Sequence, residues 1–448
     1  MTTLIIILLA ILAYTWIVYP GIVLLAARFR KEQPRAPVAL SPAALPEVTV
    51  LVAAHNEEGH IAERIRNLLE SDYPAERLFV RVGVDGSTDR TGAYARDAAS
   101  GHANVAVTVF PQRRGKVAVL KDLVSQSSTL ILVFTDANTL FRADTVRQLV
   151  RGFEDPAVGC VCGRLVFAAH GAWGMEHGVE GRPPALPSPS EKPRQSGSSA
   201  IHGEFGKETL ESQASSSSDA MRRALCALQD SPEGVYWRME TMLKAAESRL
   251  DSCLGANGAV YALRRECFWL EIPENTIVDD FVLAMKVREN GRKVVFVNDA
   301  LAYEDLPETS HEWKRRVRIG AGDFQALQIC RSCLSPRYGL FAWMLWSHKL
   351  LRWFTPFVLL AVVLVAGWDV ACGFLCGRQL PVLSAVVLAL AGLCLLAAVV
   401  PGASLVRHFA VMQAALLAGF LRFCRGGLEG YWERTPRQGM RAETRNLK

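Results

Sequence analysis

Three apolar runs in this chain each close on an aspartate: VRVGVDGSTD at Asp85, TLILVFTDAN at Asp136, and NTIVDDF at Asp279 and Asp280. A strand buried on both faces reads as such a run, and an open α/β sheet places its ligands at the carboxyl ends of its strands. The pattern predicts three strands that deliver carboxylates to one sheet edge from separate segments. Oxygen ligands gathered in this way suit a metal ion and a phosphate-bearing substrate.

The segments between the runs point to the same fold class, α/β with a mostly parallel sheet. VTVLVAAHNEE reads as a strand leading into a polar loop, and GHIAERIRNLLESD as an amphipathic helix. LFVRVGVDGSTD with TGAYARDAAS repeats that order, and so does NVAVTVF with KVAVLKDLVSQS. Strands alternating with helices of this length fold as right-handed crossovers onto a parallel sheet. VGCVCGRLVF and KVVFVNDALAYED are further strands, and VLAMKVRENG a further helix. YWRMETMLKAAESRL is an amphipathic helix with Trp237, Met242, Leu243, Ala246 and Leu250 on one face, and Glu240 and Lys244 spaced to pair across one turn.

Half of the 448 residues are apolar, more than an ordinary soluble enzyme of this length needs. The excess lies at the two ends. Leu4 to Ala27 is apolar and is followed by Arg28, Arg30 and Lys31, the charge order of a retained membrane helix with its basic end in the cytoplasm. Near the other end, Trp353–Leu375 and Leu380–Val400 are long enough to span, with Asp369 and Arg378 in the link between them. Ser404–Phe423 carries Arg407, His408 and Gln413, and reads either as a last span or as a helix lying in the interface. LFAWMLWSHKLLRW leads into these spans at headgroup level. A multi-pass protein of the cell (inner) membrane, with its catalytic domain cytoplasmic, is the expected arrangement.

The net charge of +6 comes from 50 basic and 44 acidic side chains, and much of the excess flanks apolar segments. Membrane lipids therefore account for it, and no nucleic acid partner is expected. Eleven cysteines without paired metal-site spacing, Cys330-Arg-Ser-Cys333 included, read as reduced thiols. The expected organisation is a first transmembrane helix (1–31), a proline-rich linker (32–46), a first α/β half (47–169), a Ser/Pro/Gly-rich insertion (170–232), a second half (233–338), interfacial and transmembrane helices (339–424) and a basic tail (425–448). The insertion is expected to be disordered, with MRRALCALQ a marginal helix inside it.

On AAHNEE, VDGSTD, RGKVAVL, FTDAN, GANGAVYALRR, VDDF and KRRVRIGAG, in that order, the chain resembles the family 2 glycosyltransferases. These are membrane-anchored enzymes of the GT-A fold that make polysaccharides or glycolipids. The likeness runs from about Val48 to Gln328, apart from the insertion. It implies in-line displacement at the anomeric carbon of a cytosolic nucleotide sugar, most simply UDP-linked, with inversion, assisted by Mg2+ or Mn2+. The nucleotide-sugar half would be 47–169 and the acceptor and catalytic half 233–338. The acceptor would be lipid-linked or a growing glycan, and export or polymerisation partners would be compatible with that product.

Carried over position by position, the resemblance implies that Ala54, His55 and Glu57 line the nucleoside pocket and that Asp85 contacts base or ribose. Lys116 would approach the nucleotide. Asp136 and Asn138 occupy the place of an Asp-x-Asp metal motif, with an amide where the second carboxylate belongs. Asp280 matches the general base and Asp279 its partner, while Arg316 and Arg318 could neutralise the diphosphate. Processive members carry Gln-x-x-Arg-Trp, whereas here Arg315 replaces the glutamine and Ile319 the tryptophan, which argues against processive polymerisation. The alternatives are a catalytically impaired family member acting as a membrane scaffold or glycan-export partner, and a nucleotidyltransferase built on a similar acidic α/β site.

Overall fold

The computed structural model describes residues 1–30, 45–168, 232–305, 309–377, 379, 381–399 and 404–426. The expected insertion up to residue 231, with its MRRALCALQ helix, lies outside the described residues, as do positions 32–44 of the linker and 427–448 of the tail.

The central strand β1 (Val48–Ala54) is buried along its whole length. Its side chains alternate, as period-2 geometry demands. Val48, Val50, Val52 and Ala54 join one core with Ile61, Ile65 and Leu68 of α2 (Ile61–Leu69). Leu51 and Ala53 face the other core, with Val119, Leu120 and Leu123 of α4 (Lys116–Ser125). A sheet covered on both faces needs continuous apolar strands, which is why the runs carried so little alternation in sequence. Each large aliphatic side chain buried here contributes about 1.5–3 kcal/mol.

Strands β2 (Leu78–Asp85), β3 (Val105–Phe110) and β4 (Ile131–Asp136) extend β1 by parallel pairing, β2 being followed by α3 (Thr91–Ala99). In this register Ala53 lies opposite both Gly83 and Asp136, so the chain leaves β1, β2 and β4 at one common edge. Next come β5 (Thr139–Phe141), α5 (Thr145–Arg151), β6 (Val158–Ala168), α6 (Pro232–Leu250), β7 (Tyr261–Arg264), α7 (Asp279–Glu289) and β8 (Lys293–Asp305). The eight-stranded order is β3-β2-β1-β4-β7-β6-β8-β5. The short strand β7 runs antiparallel to β4 and β6.

One expectation fails here. NTIVDDF is not a third strand: residues 275–278 form a loop, and Asp279 and Asp280 are the first two residues of α7. The run is short, and two carboxylates suit the positive end of a helix better than a strand interior.

Helix α6 also departs from its predicted face. Leu243 and Ala246 are buried, but Met242 is 55% exposed. Glu240 and Lys244 do not pair with each other. Glu240 instead bonds His348, Lys349 and Arg352, while Lys244 donates to Asn257 Oδ1. Tertiary partners outcompete a local pair worth a few tenths of a kcal/mol.

Helix α8 (Thr309–Ile329) closes the domain. Among the described residues, three helices are long and apolar enough to cross a membrane: α1 (Thr2–Phe29), α9 (Leu340–Leu375) and, within α11 (Ser404–Arg425), Leu405–Arg425. Helix α10 (Val382–Val399) covers most of the second apolar run, but its apolar part, Val382–Ala397, falls short of the roughly 20 residues a bilayer requires. In sequence it sits between Pro381 and Pro401, and proline does not continue a helix. The amphipathic lead and the span predicted from Trp353 form one helix, α9.

Candidate active site at the carboxyl edge of the sheet

The loops that leave β1 and β2 are laced together by side chains. Asn56, held at φ 54°, donates its amide to Ser87 Oγ at 3.0 Å and accepts the Thr88 amide at 2.9 Å. The Glu57 amide bonds Thr91 Oγ1 at 2.7 Å, and Glu57 Oε2 meets His60 Nδ1 at 3.0 Å. His55 Nδ1 lies 2.6 Å from the carbonyl oxygen of Asp85. Ala54, His55, Glu57 and Asp85 are all buried, so they build the wall of this corner from inside.

The Asp85 side chain is fully buried, and both its oxygens accept backbone amides: Arg114 at 2.7 Å and Gly115 at 2.8 Å. It thereby fixes the Arg113–Gly115 loop and the start of α4. Lys116 is the first residue of that helix, and its Nζ lies 2.8 Å from Asp136 Oδ1 and 3.9 Å from Asp279 Oδ1. Burial works against the ammonium, but Asp136, Asp279 and Asp280 outweigh it and raise its pKa.

The two adjacent aspartates have different surroundings. Asp279 is 5% exposed, and its Oδ2 has no hydrogen-bond partner among the described residues. Burial pushes its carboxyl up to about 6, Lys116 opposing and Asp280 and Asp136 adding. Asp280 is less buried, and its Oδ1 accepts the amide of Phe281 at 2.9 Å. A methyl group on Gly258 would stand 3.4 Å from Asp280 Oδ2 and 3.7 Å from Lys116 Nζ, so the GANG loop lies over the cluster.

Helix α8 forms the second wall. Gln325 accepts the Ile277 amide and donates to the Asn275 carbonyl, both at 3.0 Å. One turn earlier, Gly322 comes so close that an added Cβ would lie 2.8 Å from Ile277 Cβ and 3.1 Å from Val278 Cγ1. Arg318 is one further turn along the same helix, near enough to Asp279 and Asp136 for their charges to act on it. No ion pair holds Arg318 among the described residues. Burial and Arg315 lower its pKa, while Asp279 and Asp136 oppose. Arg316 points elsewhere: it pairs with Glu312 at 2.6 Å and touches Met412 of α11.

Several supporting residues had no sequence signal. Arg64 is fully buried, donates to Thr135 Oγ1 at 2.8 Å and lies 4.1 Å above the ring of Phe141, bracing the strand end that presents Asp136. Burial pulls its pKa down to about 9, with Asp136 opposing. Asn257, between Lys244 and the Gly163 carbonyl, and Gln325, against the loop before Asp279, are set in place by tertiary contacts.

The donor set fits a hard divalent ion only in part. Among the described residues, no three His, Cys, Asp or Glu side chains are grouped to hold a metal unaided. Asp136, with Asn138 two residues on, would offer oxygen ligands, and Asp136, Asp279 and Asp280 together exceed the charge of Lys116. Mg2+ and similar ions are commonly held by one or two carboxylates plus substrate phosphates, which is the fit this site offers.

Comparison with known proteins adds three findings. A model described as "Glycosyltransferase like family 2" matches residues 46–319. The beta-monoglucosyldiacylglycerol synthase of Synechocystis sp. is 30% identical over 178 residues, covering 37% of this chain and 36% of that protein. An N-acetylglucosaminyltransferase of Rhizobium leguminosarum bv. viciae is 32% identical over 123 residues, 27% of this chain and 28% of that protein. The chain thus spans about a third of the length of these curated relatives. Among solved structures, the mannosyltransferase PcManGT from Pyrobaculum calidifontis, in complex with GDP-Man and Mn2+, superposes with a TM-score of 0.63 at 23% identity, covering 94% of this chain and 99% of that one. That likeness is one of fold.

Proposed function

The chain belongs to glycosyltransferase family 2, and from that premise we propose that it moves a sugar from a nucleotide-sugar donor to a lipid-linked or glycan acceptor at a membrane surface, with inversion. The observation that supports this most is the meeting of Lys116 with Asp136 and Asp279, at 2.8 and 3.9 Å, beside Asp280 at the edge where β1, β2 and β4 end.

Asp280 is the general base. Its Oδ2 takes the proton of the acceptor hydroxyl as that oxygen bonds to the anomeric carbon and the bond from this carbon to the diphosphate oxygen breaks. The pair of electrons leaves with the diphosphate. Asp279, turned inward, keeps the local charge and orients Lys116. Arg318 faces the leaving group and stabilises its developing charge, as preorganised donors do in a water-poor site. Arg316 supports that helix through Glu312.

The loops carrying Ala54, His55 and Glu57 hold the nucleoside, most simply of a UDP-sugar. Asp85 serves the same pocket by fixing the loop before Lys116. Asp136 and Asn138 would hold Mg2+ or Mn2+, which would supply positive charge to the departing diphosphate when bound. Ile319, in the place of the acceptor-site tryptophan of processive members, favours a single transfer.

Helices α1, α9 and α11 carry the chain's membrane contact. Arg28 and Arg30 after the first and Arg422 and Arg425 at the last favour the cytoplasmic side of the cell's inner membrane for their ends.

The test uses the full chain in membranes, wild type and Asp280→Asn, with a panel of radiolabelled nucleotide sugars and Mg2+ or Mn2+, separating lipid-soluble from polymeric product. Transfer should fall by about 10²–10⁴ while donor binding persists, the size expected for loss of a general base. Equal incorporation by both proteins would overturn the assignment, and polymeric product would overturn single transfer.

A further inference from the structure

We propose that Lys116 is a resident stand-in for the divalent cation: in the free enzyme its ammonium occupies Asp136, and it yields that carboxylate to a metal only when a donor diphosphate arrives to receive it. The inference rests on the reading of Asp136 as the metal ligand and goes beyond it by making Lys116 the competitor that a metal would have to displace.

Three observations carry it. First, Lys116 Nζ bonds Asp136 Oδ1 at 2.8 Å, on the carboxylate that would hold the metal, and is the cation bonded to Asp136 among the described residues. Its position between Asp136 and Asp279, beneath Gly258, is where carboxylates from β4 and α7 converge. Second, Lys116 opens α4, where unsatisfied amides make the helix end positive and disfavour a cation. Its location there is explained by the carboxylates ahead of it, and it places an ammonium next to a helix end suited to a phosphate. Third, the Asp85 clamp on the Arg114 and Gly115 amides fixes the backbone before Lys116, so the side chain alone must move. A lysine stem of four flexible carbons can make that exchange.

The consequence is a shared equilibrium. Without a donor, an incoming metal must displace a hydrogen-bonded ammonium and leave it with only its longer contact to Asp279. With a donor, the ammonium moves to the diphosphate as the metal takes Asp136. Metal and nucleotide then strengthen each other's binding by the same factor.

The experiment measures Mn2+ binding to the purified full-length protein in detergent, by the electron paramagnetic resonance signal of free Mn2+, with and without UDP or GDP. Wild type should bind Mn2+ weakly alone and at least about tenfold more tightly with the nucleoside diphosphate. Lys116→Met should bind Mn2+ about tenfold to a hundredfold more tightly without nucleotide, since one nearby positive charge is gone, and should lose most of the coupling. Lys116→Arg should behave like wild type.

Two failures are distinguishable. If Asp136→Asn leaves Mn2+ binding unchanged, Asp136 is not the ligand and the functional reading of that residue falls. If Asp136→Asn abolishes binding but Lys116→Met binds Mn2+ no more tightly than wild type, only the exchange is overturned. The wild-type arm needs no variant to fold: equal Mn2+ affinity with and without nucleotide overturns the coupling by itself.

Discussion

Asp279 and Asp280 adjoin in sequence, yet one is buried beside Lys116 and the other is only half-buried, because the first turn of α7 points successive side chains about 100° apart. Their placement depends on Gln325, whose amide holds the loop before them. Gln325→Leu leaves the Ile277 amide and the Asn275 carbonyl without partners, which should cost about 1–3 kcal/mol in chemical denaturation and lower turnover more than donor affinity. Asp323, on the same helix, makes a pH-dependent contribution. Burial pushes its carboxyl up to about 8, Lys349 opposing and Asp280 and Glu240 adding. Folding therefore favours the neutral acid. That stability is complete below the unfolded value of about 4 and is lost as pH rises through about 8, at no more than about 1.4 kcal/mol per pH unit. Asp323→Asn, which stays neutral, should melt higher than wild type at pH 8, and the difference should shrink towards pH 4. A difference independent of pH would refute this account.

At the scale of elements, α8 is held on two sides. One face lies on the loop before Asp279, and another crosses α11 so closely that a Cβ on Gly419 would stand 2.7 Å from the Ala321 amide nitrogen and 2.9 Å from the Val317 carbonyl oxygen. Phe324 packs edge-on against Phe420 at 5.0 Å in the same crossing. Backbone cannot retreat as a side chain can, so Gly419→Ala should separate the helices. The expected cost is about 1–3 kcal/mol, read as a lower melting temperature in detergent, with a fall in transfer because Arg318 rides on α8. Helix α6 behaves similarly. Its buried Glu240 and Glu247 meet both ring nitrogens of His348, at 3.0 and 2.5 Å, and Glu240 also accepts from Lys349 and Arg352. Glu240→Ala strands buried cations, and a loss of about 3–5 kcal/mol should show as failure to purify a folded protein.

In the whole molecule, the apolar ends and the α/β domain share one core. Tyr19, Val23 and Ala27 of α1 are buried in the same cluster as Leu120 of α4 and Met285 of α7, and the Tyr19 hydroxyl donates to Glu247 at 2.6 Å. Both α1 and α9 carry a π-helical turn, at Tyr14–Val18 and Leu345–Leu350, where Tyr14 bonds Ser347 at 2.8 Å. Such turns shift side-chain register within a helix, and here they bring polar groups from both helices to α6. A protein lacking residues 2–29 should therefore lose stability in its catalytic domain as well as its membrane contact. Retention of the full-length melting temperature in detergent would show that the helix is only an anchor.

Sequence alone determined the features that depend on neighbours along the chain: β1, β2 and β4 with Asp85 and Asp136 at their ends, the helices between them, and the apolar ends. Apolar runs, helical periods and turn residues are local properties, so these elements were legible before any contact was known. Tertiary structure decided what depends on distant partners. It turned the third aspartate run into a helix start, drew Glu240 from Lys244 to α9, and set Gln325 and Arg64 behind the carboxylates. It also brought Lys116 onto Asp136 from twenty residues away, because a charge goes where the opposite charge can be buried with it, and sequence spacing does not record that place.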